Sequence, residues 1–191
     1  ISKTKPHIHF LFPTPDQPQI TQISQRYSVP SAWVYGIIRQ ESRFMTSVSS
    51  NVGAQGLMQI MPNTAKWLIR KLELSEYKDK PITQLDINIA LGSSYLKMLH
   101  TDFDQSYALA SAAYNAGPLR AREWRKALQK PMEGAIFIES IPFFETRDYV
   151  KNVLSNTFTY ASLLNEDLGS FSDFVGTIHP ANANRPETKL P

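Results

Sequence analysis

The sequence predicts a mainly α-helical domain with little or no β-sheet. Apolar residues recur at three- and four-residue spacing in seven separate segments. No stretch sustains the alternation of a half-buried strand, and no repeat of about 20–50 residues is visible. At 191 residues, with 42% hydrophobic and 19% charged, the chain can bury one ordinary core and is too apolar to remain disordered.

Taken in order, residues 1–18 carry Pro6, Pro13, Pro15 and Pro18 around an extended-looking HIHFLFP run. They predict a linker or strap from an upstream element. Helices are expected at 18–28, 31–44, 62–73, 86–102, 105–116, 118–129 and 145–166. Ser31, after Pro30, suits an N-cap, and Pro62 suits a first helical turn. Between them, TSVSSNVGAQGLMQIM (46–61) holds Gly53, Gly56 and turn-favouring Ser and Asn, so it predicts a loop. Ile87, Leu91, Tyr95, Met98 and Leu99 make 86–102 a core helix. Gly117–Pro118 separates the next two helices. The polar, Pro-rich tail from His179 is expected to be loosely held. The division expected is a strap at 1–18, a domain at 19–168 and a variable C-terminal tail at 169–191.

A net charge of +3 and a pI near 9.1 suit an anionic polymer. The basic residues are scattered, however, without the blocks of a nucleic-acid-binding arm. Absence of cysteine excludes disulfides, thiol chemistry and cysteine-bound zinc. No apolar run approaches the roughly 20 residues of a membrane span. The chain opens at Ile1 without Met, which predicts an excised or processed piece of a longer protein. His7 and His9 share one face of a strand but have no third ligand nearby. Nucleophile elbows, phosphate loops and HExxH are absent, so neither cofactor nor metal is expected.

Glu41 breaks the pattern. On a helix over 31–44 it falls within the stripe formed by Val34, Ile37, Ile38 and Phe44. Such a carboxyl can be a buried partner for Arg. It can equally be a general acid, because apolar walls penalise its ionised form and raise its pKa. Glycosidases usually flank the scissile bond with two carboxylates, yet the next acid after Glu41 is Glu73. A lone carboxylate points to a substrate containing N-acetylhexosamine, whose acetamido oxygen can serve as internal nucleophile. Other stretches suit a sugar cleft: Tyr114 and Asn115 in AAYNAGP (112–118), Gln59 and its methionine neighbours in GLMQIMP (56–62), and Glu145, Arg147, Asp148 and Tyr149 in IPFFETRDYV (141–150). Each also has a purely structural role open to it, as helix cap, core filler or dipole partner.

The ordered segments RQESRF, VGAQGLMQIMPNTA, INIALGSSYL, AAYNAGP and ESIPFFETRDYVKNVL resemble the soluble lytic murein transglycosylases of Gram-negative bacteria, from about residue 10 to about 165. The resemblance implies a lysozyme-like (goose-type/transglycosylase) helical fold. It implies cleavage of the β-1,4 bond between N-acetylmuramic acid and N-acetylglucosamine in peptidoglycan, leaving 1,6-anhydro-muramyl ends. Glu41 matches the catalytic acid and base, and Ser50 the position whose hydroxyl bonds that carboxyl. Gln59, Met61, Tyr114, Asn115, Glu145 and Tyr149 match cleft-lining positions. The partners implied are glycan strands, with no nucleic acid, and an upstream helical domain of the same protein. The location implied is the periplasm. A goose-type lysozyme, which is a hydrolase, and a non-catalytic murein-binding module are the alternatives. From about Gly169 the family pattern ends.

Overall fold

The structure, a computed structural model, describes residues 8–46, 50, 52–181 and 188–191. His7 of the proposed histidine pair therefore lies outside the described residues, as does part of the loop over 46–61. The elements run α1 (Ile8–Leu11), α2 (Gln17–Arg26), α3 (Ser31–Glu41), α4 (Pro62–Lys71), a 3₁₀ turn (Ser75–Tyr77), α5 (Leu85–Asp102), α6 (Tyr107–Ala116), α7 (Pro118–Lys126), β1 (Met132–Glu133), α8 (Gly134–Ser140), α9 (Phe144–Leu164), α10 (Phe171–Val175) and β2 (Thr177–Ile178). The fold is mainly α. Among the described residues its only sheet is the β1–β2 pair, antiparallel with Met132 opposite Ile178.

α3 is the central helix, with Trp33, Val34, Tyr35, Ile37 and Ile38 all fully buried. It packs most extensively on α9. Gly36 permits the close approach: a Cβ there would lie 2.4 Å from Thr157 Oγ1 and 3.0 Å from the Val153 carbonyl. On the other side the Trp33 indole N–H donates to Ser111 Oγ of α6 at 3.2 Å.

Ser31 does not cap α3. It is the first helical residue, and Pro30 holds the cap position without a side-chain bond. The cap comes instead from just beyond α9: the Ser31 and Ala32 amides donate to the two carboxylate oxygens of Glu166, each at 3.0 Å. A bidentate carboxylate satisfies two orphan amides and complements the positive end of the helix. Glu166→Ala is expected to lower stability by about 1–2 kcal/mol, read in chemical denaturation; an unchanged midpoint would mean that solvent replaces the cap without loss.

The chain ends also depart from expectation. HIHFLFP was expected to be extended, but Ile8–Leu11 form a helical turn. The strap is pinned just after it: Tyr160 donates to the Pro13 carbonyl at 3.1 Å, Tyr35 to that of Pro15 at 2.7 Å, and Phe12 packs edge-on against Tyr160. Just before the expected loose tail the chain is held: Phe174, Val175 and Ile178 are buried, and Gly134 N–H donates to the Gly176 carbonyl at 2.7 Å. The tail itself is tied where it starts, Arg125 donating to the His179 carbonyl at 2.9 Å.

Candidate active site

Glu41 is the last residue of α3 rather than an interior residue of a helix running to 44. The Ser42 and Arg43 amides both turn back to the Ile38 carbonyl, and Arg43 and Phe44 take positive φ values of 50° and 67°. The helix therefore ends three residues earlier than its apolar pattern suggests, and leaves the carboxyl partly buried at its terminus. Tyr149, buried in the second turn of α9, donates to Glu41 Oε1 at 2.6 Å. Among the described residues this is the only hydrogen bond to the Glu41 side chain, and it engages Oε1 rather than Oε2.

Burial pushes the Glu41 carboxyl up to about 7, and the charge of Glu145 pushes in the same direction. The Tyr149 hydrogen bond opposes them by favouring the anion. The carboxyl also meets the negative end of α3, which disfavours its ionised form. The outcome is an acid that gives up its proton near neutral pH. Tyr149 is itself raised well above the ordinary phenol value by burial and by the Glu41 charge, so it remains a hydrogen-bond donor.

Glu145 changes the one-carboxylate picture. Separated from Glu41 by about a hundred residues of sequence, it lies in the first turn of α9 and within electrostatic reach of Glu41. Glu145→Gln is expected to move the apparent pKa of Glu41 downward, because a like charge is removed. The alkaline flank of a pH–rate profile, set by loss of the Glu41 proton, would move to lower pH with it; an unmoved profile would mean that solvent screens the pair.

The residues 55–60 form a tight turn closed by reciprocal Gln55–Ile60 backbone bonds of 3.1 and 3.0 Å. Gly56 has φ 76° and Gln59 φ 48°. Gln59 Nε2 donates back to the Gly56 carbonyl at 2.8 Å. Asn88 of α5, fully buried, braces the turn from beneath. It accepts from the Met58 amide at 2.7 Å and donates to the Gln55 and Ile82 carbonyls at 3.0 and 2.8 Å. Met58 is not a cleft residue: it is fully buried against Gly92, whose Cβ would lie 2.2 Å from its sulfur. Ile60 and Met61 remain as the apolar members facing the cavity.

Two cavities meet at Asn115 and Ala116. One, of about 260 Å³, is lined among others by Gln59, Met61, Tyr95, Tyr114 and Asn115. The other, of about 330 Å³, is lined by Asn115, Arg120, Phe143, Phe144, Glu145 and Thr146. Asn115 Oδ1 accepts from Thr146 Oγ1 at 2.7 Å, which leaves its Nδ2 donors at the junction. The Tyr114 hydroxyl donates to the Met58 carbonyl at 2.8 Å, so it ties α6 to the turn. Ser50 Oγ accepts from the Ala54 amide at 3.0 Å, a bond that uses an oxygen lone pair and leaves the O–H as a donor. Sequence patterning singled out neither Asn88 nor Thr146. A polar residue between Ile87 and Ile89 on a core helix was the available signal for Asn88.

A family model described as the transglycosylase SLT domain matches residues 18–136. Another, described as the soluble lytic transglycosylase helical domain, matches residues 140–168. The soluble lytic murein transglycosylase of Salmonella typhimurium is 36% identical over 168 residues, covering 87% of this chain and 26% of the relative. That of Escherichia coli K12 is 38% identical over 150 residues, covering 78% and 23%. Among solved structures, an inactive glutamate-to-glutamine mutant of lytic transglycosylase Slt from Pseudomonas aeruginosa superposes with a TM-score of 0.84 at 37% identity, over 93% of this chain and 29% of that one. The 70 kDa soluble lytic transglycosylase of Escherichia coli gives 0.77 at 35%, over 84% and 26%. The chain spans about a quarter of the length of these relatives.

Proposed function

The chain belongs to the transglycosylase SLT-domain family, and from that membership and the site geometry we propose that it cleaves the β-1,4 bond between N-acetylmuramic acid and N-acetylglucosamine in peptidoglycan without water. The observation that carries this reading is Glu41, raised to about 7 and held by Tyr149. Protonated Glu41 donates to the glycosidic oxygen as the bond to the muramyl C1 breaks. The acetamido oxygen of the same sugar closes on C1 and carries the developing charge. Glu41, now a carboxylate, takes the proton of the muramyl 6-hydroxyl. That oxygen displaces the acetamide at C1, leaving a 1,6-anhydro end. Tyr149 fixes one carboxylate oxygen throughout, so the other faces both proton transfers. Asn115, Gln59, Met61 and Tyr114 line the cavity that would hold the sugars.

The 6-hydroxyl is tethered to the reacting ring, which raises its effective concentration far above that of a free nucleophile. Glu145 supplies the one argument for a second reading. A second carboxylate near Glu41 can activate water, as in hydrolases of the goose-type lysozyme kind. Digestion of murein in ¹⁸O-labelled water separates the two. Anhydro-muramyl products with no label at the cleaved end are expected; labelled reducing ends as the main product would make the enzyme a hydrolase. Peptidoglycan as the substrate supports a periplasmic location, and the greater length of the relatives supports further domains in the whole protein.

A further inference from the structure

We propose that Leu190 and Pro191 complete the wall of the glycan cleft on its Gly117–Pro118 side and add affinity for the sugar bound there. The inference rests on the glycan-cleft reading above. Neither the catalytic pair nor the family motifs involve this segment, yet the fold brings it to the site.

The segment is latched where it starts. Asp102, at the end of α5, and Arg122, in α7, form an ion pair at 2.7 Å with side chains only 7% and 11% exposed. The same pair takes both backbone groups of Thr188. Its amide donates to Asp102 Oδ1 at 3.3 Å, and its carbonyl accepts from Arg122 Nη2 at 2.6 Å. Fixing both polar groups of one residue sets the direction of the chain that follows. Leu190 then packs against the hydrophobic core, and Pro191 reaches the cavity of about 260 Å³ beside Met61, Thr64, Gly117 and Pro118.

The chemistry of that corner suits a pyranose. Pro191, Pro118 and Met61 offer apolar faces for ring C–H groups. Asn115 and Gln59 offer polar atoms across the same cavity. A proline ring has its backbone angle preset, so contact with it costs little ordering on binding. Neither Glu41 nor Tyr149 lines this cavity. The contact should therefore act on binding rather than on proton transfer.

Two substitutions test this by different routes. Pro191→Gly removes the ring from the cavity, and Leu190→Asp unseats the segment from the core. Both are made in a Glu41→Gln background, so that binding is measured without turnover. The probe is the N-acetylglucosamine trimer, titrated by calorimetry, with thermal melts to check the fold. Affinity is expected to fall about 3–10-fold in each variant, the scale of one lost apolar contact. In the Glu41-containing enzyme KM should rise by a similar factor while kcat stays within about twofold. Unchanged affinity in both variants would overturn the proposal. Tighter binding would also overturn it, since the segment would then cover the cavity rather than wall it. If the trimer fails to bind even with Leu190 and Pro191 intact, the glycan-cleft reading itself falls and takes this inference with it.

Discussion

Glu41→Gln is expected to abolish murein cleavage while making the folded protein more stable at neutral and alkaline pH. The amide keeps the shape of the carboxyl and can still accept from Tyr149, but it neither gives nor takes a proton. General acid–base catalysis is typically worth about 10²–10⁴-fold. More is lost here, because one group serves both transfers. The stability gain follows from linkage. The folded carboxyl titrates at about 7, against 4.5 for an unperturbed one. Between those values the unfolded chain has released its proton while the folded chain still holds it. Stability of the wild-type protein therefore falls as pH rises through that window. At ~1.4 kcal/mol per pH unit, and discounted for solvent screening at a partly open site, the loss is ~2 kcal/mol. Glu41→Gln removes the titration. Its melting temperature should match wild type near pH 4 and exceed it above pH 7. Retained activity would remove Glu41 from the mechanism, and a stability difference independent of pH would mean that the carboxyl is not perturbed.

Much of this site was legible before any coordinates, and the reasons are physical. A carboxyl within the Val34–Ile37–Ile38 stripe is anomalous at the level of composition alone, and it led to Glu41. Glycine and proline punctuation placed Gln59 in a turn and Asn115 just before a helix stop, both as observed. Partners joined by tertiary packing were not legible. Nothing local at Ser31 announces that Glu166, 135 residues later, will cap its helix. The apolar period through Phe44 suggested a longer helix, because periodicity records burial and Phe44 is packed against the core even after the helix has ended. Glu145 was noted as an acid suited to a helix start. Its influence on Glu41 depends on α3 and α9 meeting at Gly36, where a missing side chain lets the two backbones close.

The turn that carries Gln59 depends on a residue the patterning passed over. Asn88→Ala is expected to lower stability by about 3–4 kcal/mol, since the Met58 amide and the Gln55 and Ile82 carbonyls lose buried partners together. For a domain of this size that corresponds to roughly 10 °C in melting temperature. Asn88 also fills the space over Gly56, where a Cβ would lie 2.3 Å from Nδ2. Its removal therefore opens a gap beneath the turn as well as leaving polar atoms unpaired. Catalysis should suffer through binding: KM is expected to rise more than kcat falls, because Glu41 and Tyr149 are held by α3 and α9 and do not touch Asn88. Asn88→Asp sharpens the test. It keeps the acceptor for the Met58 amide but turns a carboxylate oxygen toward two carbonyls, so at neutral pH it should be at least as damaging as alanine. Protonation gives the Asp an O–H donor for one of those carbonyls. The aspartate variant should then recover part of its stability as pH falls toward 4, whereas the alanine variant should not. Equal melting temperatures for Asn88→Ala and wild type, with KM unchanged, would mean that the Gln55–Ile60 bonds hold the turn unaided.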